Sequence, residues 1–141
     1  VDAASAVAVA ATFVWLGMVL AISFLEAPLK FRAPGVSTQI GLGIGRLVFR
    51  ALNTAEAVLA LAVVASFVAD APSTPAVVAG GLAAAVLAGQ ILAVRPALSR
   101  RSDAVLRGAD GPRSHAHLVY VGLECVKVAA LLVTGVALVT S

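Results

Sequence analysis

At 141 residues and 14.1 kDa the chain has the length of one domain, with 61% hydrophobic residues, 12% charged residues and a mean hydropathy of +1.05. That composition excludes a soluble globular protein and predicts an all-α fold, a four-transmembrane-helix bundle in a lipid bilayer. A net charge of +3 in so apolar a chain argues against a nucleic-acid partner, which needs a clustered basic face, and the lone Cys125 excludes an internal disulfide or a thiolate zinc cage.

A helix rises 1.5 Å per residue, so about 20 apolar residues cross about 30 Å of hydrocarbon. The first span, about 3–29, is uncharged from Ala3 to Leu25 and leaves the membrane at Glu26-Ala-Pro28-Leu-Lys30. Asp2 and the absence of a positive leader mark it as a retained helix rather than a cleaved signal. Trp15, Phe13 and Phe24 within it read as lipid- or core-facing bulk. The connection from Phe31 to Gly45 reads as a short surface loop, and its Gly41, Gly43 and Gly45 admit a phosphate nest as the rarer alternative. The second span, about 46–69, stops at a proline turn, Asp70-Ala-Pro72-Ser-Thr-Pro75. The third, about 75–95, carries Gly81, Ala85 and Gly89 at four-residue spacing, a face on which a neighbouring helix can approach closely. A second loop is expected from Ser99 to Arg113, and the fourth span, about 114–139, is broken by Glu124 and Lys127. His115 and His117 are two residues apart, about 200° around a helix, so they cannot clamp a haem; no cofactor is expected.

Nine of the ten Lys and Arg residues fall in or beside the first and third connections, and neither terminus carries one. The charge bias therefore predicts a cytoplasmic face for those connections, with both termini outside, in a bacterial inner membrane. The Ala, Val and Arg bias agrees with a GC-rich bacterial genome.

Ionisable groups inside a span are costly, about 2.5–3.5 kcal/mol each at a helix centre, and call for a reason. Three spans carry polar stripes at helical spacing, all beginning at the basic end: Ser23, Glu26 and Lys30; Arg46, Arg50, Asn53 and Glu56; His117, Tyr120, Glu124 and Lys127. Glu56 lies ten residues past Arg46 and Glu124 ten past Ser114, which puts both about 15 Å deep. Lys127 is one turn beyond Glu124 on its face, and Gln90 reaches the same layer only if it points inward. Two glutamates and one lysine leave one negative charge in excess. A proton, a bound cation or Arg50 reaching down its helix are the candidate compensators.

The chain also reads as two helical pairs, Leu47-Val-Phe49 to Glu56 corresponding to Leu118-Val-Tyr120 to Glu124, which suggests a parallel duplication of a two-helix unit. In Trp15-Leu-Gly17, Ala27-Pro28-x-x-Phe31, Gly45-Arg-Leu-Val-Phe49 and the stretch from Arg95-Pro96 to His117, it resembles uncharacterised bacterial four-helix membrane proteins similar to the transmembrane-protein-205-like family. The resemblance implies an integral membrane protein and no established activity. Locally, Val48-Phe-Arg50-Ala51 with Asn53-x-x-Glu56 resembles the second-helix motif of the membrane-associated eicosanoid and glutathione metabolism enzymes. That likeness implies glutathione held by Arg50, Asn53 and Glu56.

The expected function is a small proton- or cation-linked transporter or channel-like protein, a homo-oligomer binding a small ion or molecule. Its site comprises Glu56, Glu124 and Lys127, with Asn53 and Tyr120 beside them and Arg50 and His117 at the mouth. The alternatives are a glutathione-binding membrane enzyme and a structural accessory subunit of a membrane complex.

Overall fold

A computed structural model describes residues 2–106 and 115–140. Every long element among them is helical, and four helices are long and apolar enough to cross a membrane. They are α1 (Ala3–Arg32), α2 (Thr38–Ala69), α3 (Thr74–Ala104, with helical backbone running on to Leu106) and α4 (His115–Thr140).

Local chemistry sets the starts and stops. Asp2 caps α1 by accepting from the Ser5 N–H at 2.8 Å, and Ser37 caps α2 by accepting from Ile40 at 3.1 Å. Between them Gly35, at φ +83°, supplies the left-handed turn. Pro75 stands in the first turn of α3, where its missing N–H costs nothing.

Both expected loops prove shorter than the sequence suggests. The first connection shrinks to residues 33–37, because Gly41, Gly43 and Gly45 lie within α2 rather than in a loop. A side chain at Gly41 would run into the Phe31 ring, and one at Gly45 would meet the Lys30 ammonium. These glycines let the returning end of α1 lie against α2, so the phosphate nest is overturned. In the third connection Ser99–Leu106 is helical, and the remainder, with Arg107, Asp110, Arg113 and Ser114, lies outside the described residues.

Two helices share an irregularity. In α1 the backbone widens to a π-helical turn over Leu20–Glu26, where the Ala27 N–H reaches back five residues to Ile22 O. In α3 it widens over Gln90–Val94, where the Arg95 N–H reaches Gln90 O. Each widened turn ends two residues before a proline, Pro28 or Pro96. Proline lacks an N–H and crowds the carbonyl four residues back, and a π turn takes up that misfit without ending the helix.

The buried positions follow the helical period. On α1 they are Ala8, Ala11, Thr12, Trp15, Leu16 and Val19; on α2, Leu52, Asn53, Glu56, Ala60, Val63 and Ser66. On α3, Ala76, Ala79, Gly80 and Ala83 keep the inward face small, so α4 approaches it closely. The small-residue face of Gly81, Ala85 and Gly89 points outward, and a side chain added at either glycine would meet nothing within 4 Å. α1 packs against α2 and α4, while α3 packs mainly on α4.

The chain ends sort by charge. Arg46 pairs with Asp103 at 2.6 Å, and Arg95 donates to Arg46 O at 3.3 Å, which gathers the basic turns at one end. At the other end Ala4, Ser5, Asp70 and Leu138 line one small cavity, so the start of α1, the 70–73 turn and the end of α4 meet there.

Candidate functional site

The inward stripes of all four helices carry polar groups at one level. Lys127 of α4 is wholly buried, with its ammonium 2.5 Å from Glu56 Oε1 and 2.5 Å from Glu124 Oε1. It donates a third bond to Gln90 Oε1 at 2.8 Å, which uses all three of its N–H groups.

The carboxylates are as fully engaged. Glu124, 2% exposed, accepts at Oε1 from Gln90 Nε2 at 2.8 Å and at Oε2 from the Ser23 hydroxyl at 2.5 Å. Glu56, 0% exposed, accepts at Oε1 from Trp15 Nε1 at 2.9 Å. With its amide turned to satisfy both neighbours, Asn53 donates to Glu56 Oε2 at 3.2 Å and accepts from Arg95 at 3.2 Å. The Tyr120 hydroxyl stands 3.5 Å from the same amide, and its ring meets Phe49 edge-on at a centroid distance of 5.9 Å. Burying three charges is tolerable only because each partner's remaining hydrogen-bonding capacity is met.

The widened turns bear directly on this arrangement. Ser23 stands within the π turn of α1 and Gln90 opens that of α3, and both donate to Glu124. Ser23 and Gln90 continue the inward faces of Val19 and Leu87, and the extra residue in each turn accommodates Pro28 and Pro96 beyond them.

Of the residues expected at the site, Glu56, Glu124, Lys127, Asn53 and Tyr120 come together. Arg50 forms no ion pair with the cluster, and His117 lies two helical turns from Glu124 on α4. Both line a cavity of about 970 Å³ that opens from the cluster toward the basic end. Ser23, Asn53, Tyr120 and Glu124 also form part of its wall, whereas Glu56 and Lys127 lie behind. Arg50 is therefore not the cation that reaches down to the glutamates; Arg95 of α3 does so, through Asn53. His115 opens α4, and its side chain lies outside the described residues.

Two participants escape the sequence reading, and a third is left conditional by it. Trp15 is a hydrogen-bond donor to Glu56 rather than bulk. Arg95 looks like a loop charge, and nothing in the spacing ties it to Asn53. Gln90, expected at this layer only if it pointed inward, does so, continuing the buried face of Ala83 and Leu87. The three-residue interval from Asn53 to Glu56 on α2, spent on one bond between them, also bears on the glutathione resemblance. Glu56 is taken up by Lys127, Trp15 and Asn53 and does not line the cavity, so Arg50, Asn53 and Glu56 offer no common ligand face.

Beyond the cluster, away from the basic end, the interior is largely apolar, its buried polar side chains being the hydroxyls of Thr12, Ser66 and Thr134. Trp15, Leu16, Val63, Ala83, Leu87 and Leu131 belong to one packed core. The cavity therefore has a polar floor and a closed far side. Among the described residues no group of three His, Cys, Asp or Glu side chains is placed to hold a metal ion.

No known family, no curated protein and no solved structure matches this chain.

Proposed function

We propose that the protein is a small proton-linked transporter, a four-helix bundle of the bacterial inner membrane with its termini outside and its cavity facing the cytoplasm. The observation that carries this reading is the position of Glu124. Its carboxylate forms part of the cavity wall and, at the same time, shares Lys127 with Glu56, which is sealed behind it.

Two carboxylates around one ammonium leave one negative charge in excess, and Arg95 offsets it only at a distance, through Asn53. A proton carried by the Glu56–Lys127–Glu124 group completes the balance. The groups facing that proton are Trp15 and Ser23 from α1, Asn53 from α2, Gln90 and Arg95 from α3, and Tyr120 from α4. Access from one side and an apolar plug on the other describe one conformation of an alternating-access cycle rather than an open pore.

The duplication expected from the sequence gains support from the two π turns, each ending two residues before its proline. It gains more from Phe49 and Tyr120, corresponding positions of the two halves, which meet edge to face. Orientation follows the charge bias, with Lys30, Arg46, Arg50 and Arg95 on the cytoplasmic side. The outward small face of Gly81, Ala85 and Gly89 suits a second copy of the chain, in keeping with a homo-oligomer.

The test is proton flux in proteoliposomes, read with a lumenal pH dye under an imposed potential. Glu124→Gln and Glu56→Gln should each abolish flux. Unchanged flux in both leaves the cluster a structural device that holds the helices in register.

A further inference from the structure

We infer that the cavity binds an amphipathic anion, a carboxylate or phosphate group on an apolar body, and that this anion is the transported substrate class. The second clause rests on the transport reading; the first stands on the cavity alone.

The charge of the lining is lopsided. Lys30, Arg46, Arg50 and Arg95 face the cavity, against a single carboxylate, Glu124, which is already engaged by Lys127, Gln90 and Ser23. Two of the four cations have acidic partners: Lys30 stands 3.8 Å from Glu26, and Arg46 stands 2.6 Å from Asp103, neither acid lining the cavity. No carboxylate lies within ion-pair distance of Arg50 or Arg95 among the described residues. The Arg95 guanidinium sits over the Phe49 ring at 6.0 Å, and the Lys30 ammonium stands 5.7 Å from the same ring, so the charges converge on one aromatic shelf. A metal cation or an organic amine entering this space meets repulsion, whereas an anion finds two arginines with N–H groups to spare, Arg95 having five and giving one to Asn53 and one to Arg46 O.

The remaining wall sets the rest of the ligand. Phe24, Phe31, Leu42, Ile91 and Leu98 are apolar, and a volume of about 970 Å³ is far larger than an inorganic ion needs. A small hydrophilic anion would leave those surfaces without partners, and an anion with a hydrocarbon or aromatic body would cover them. Arg95 links this ligand to the buried cluster. It is bonded to Asn53, which is bonded to Glu56, so an anion that engages Arg95 withdraws part of the positive field from the glutamates and favours the proton there. Anion and proton then travel together.

The probes are octyl phosphate and octanol, titrated against the full chain in phosphatidylcholine nanodiscs, with binding read by calorimetry and by the rise in melting temperature. Octyl phosphate should bind and octanol should not. Arg50→Gln, a change at an exposed position, and Arg95→Gln should each weaken binding about tenfold or more, with partial recovery in Arg50→Lys. Adding a minority of phosphatidylglycerol distinguishes the source of the anion. Competition with octyl phosphate identifies a lipid headgroup as the natural occupant, and no competition identifies a free organic anion. Equal binding of octanol, no binding of octyl phosphate, or affinities within twofold of wild type in both Gln variants would overturn the proposal. Binding needs no transport, so intact binding without flux removes the transport reading and leaves the anion site standing.

Discussion

Lys127→Met removes the one cation from between two buried acids. Glu56 Oε1 and Glu124 Oε1 are each 2.5 Å from the ammonium and hence at most about 5 Å apart; with both ionised their repulsion at an effective dielectric of about 20 is about 3 kcal/mol, and with one protonated the other becomes a buried charge without its partner. Truncating one member of a buried ion pair typically costs about 3–5 kcal/mol, which brackets that figure. The substitution should therefore destabilise the protein by about 3–5 kcal/mol, while Glu56→Gln, which leaves a balanced Lys127–Glu124 pair, should cost about 1 kcal/mol or less. The triple variant Lys127→Met, Glu56→Gln, Glu124→Gln discards all three charges. It should regain at least about 2 kcal/mol over the single lysine variant, a non-additivity expected of side chains that share one network. Protonating the stranded carboxylates offers the same relief, so the deficit of the lysine variant should narrow as pH falls. Reversible unfolding in mixed micelles of sodium dodecyl sulfate and dodecyl maltoside, followed by circular dichroism, measures each value. A loss below about 1 kcal/mol for Lys127→Met, or a triple variant less stable than the single, would refute the charge accounting.

Trp15→Phe keeps the bulk and removes the donor to Glu56, so a loss of about 1–3 kcal/mol is expected in the same assay. As Trp15 is the chain's single tryptophan and wholly buried, its emission should be blue-shifted and protected from aqueous quenchers, and Glu56→Gln should shift it. Neighbouring glycines of α3 should behave oppositely: Gly80→Ala meets the Phe67 ring at 2.7 Å and should lower the melting temperature, whereas Gly81→Ala meets nothing and should leave it unchanged or raised. At the far end, the Ser5 N–H and a hydrogen bond with Asp70 hold the Asp2 carboxyl below the ordinary carboxylate range, and that shared bond and the Asp2 charge push Asp70 above it. Asp2 thus contributes stability that is lost as pH falls through its lowered value, and Asp70 contributes stability that is lost as pH rises through its raised one. Melting temperature should peak between the two, and Asp70→Asn should flatten the decline on the alkaline side; an unchanged profile would contradict the pairing.

The hydropathy of the chain made four long helices legible, because a polypeptide solvated by lipid keeps its backbone bonds within each segment. The same spacing rule put Glu124 and Lys127 on one face, and depth counting put Glu56 level with them. What could not be read was partnership. An indole in an apolar run carries the same hydropathic signature whether its N–H is spent on a carboxylate or faces lipid, so Trp15 looked like bulk. Arg95, one of nine basic residues outside the spans' centres, carried no mark that singled it out. Glycine misled once. Gly41, Gly43 and Gly45 suggest a loop by composition, yet all three lie within α2, where Gly41 and Gly45 make room for Phe31 and Lys30. Gly81, Ala85 and Gly89 left open whether the helix they admit belongs to the same chain, and α3 turns Ala79, Gly80 and Ala83 inward. The error comes from reading a residue by its freedom when its neighbour's size decides. The π turns had only Pro28 and Pro96 as outward signs.

Those two widened turns hold one surplus residue each. Were either to tighten into ordinary α-helix, every residue on its far side would swing by about 100° and slide by about 1.5 Å relative to the near side. In α3 the pivot lies between Gln90, gripping Glu124 and Lys127, and Arg95, facing the vestibule. Such a ratchet would move Arg95 away from the vestibule while Gln90 keeps its hold on Glu124 and Lys127. It would also let a single-residue deletion at Leu92 or Ala93 be absorbed where it falls, jamming the movement without unfolding the chain.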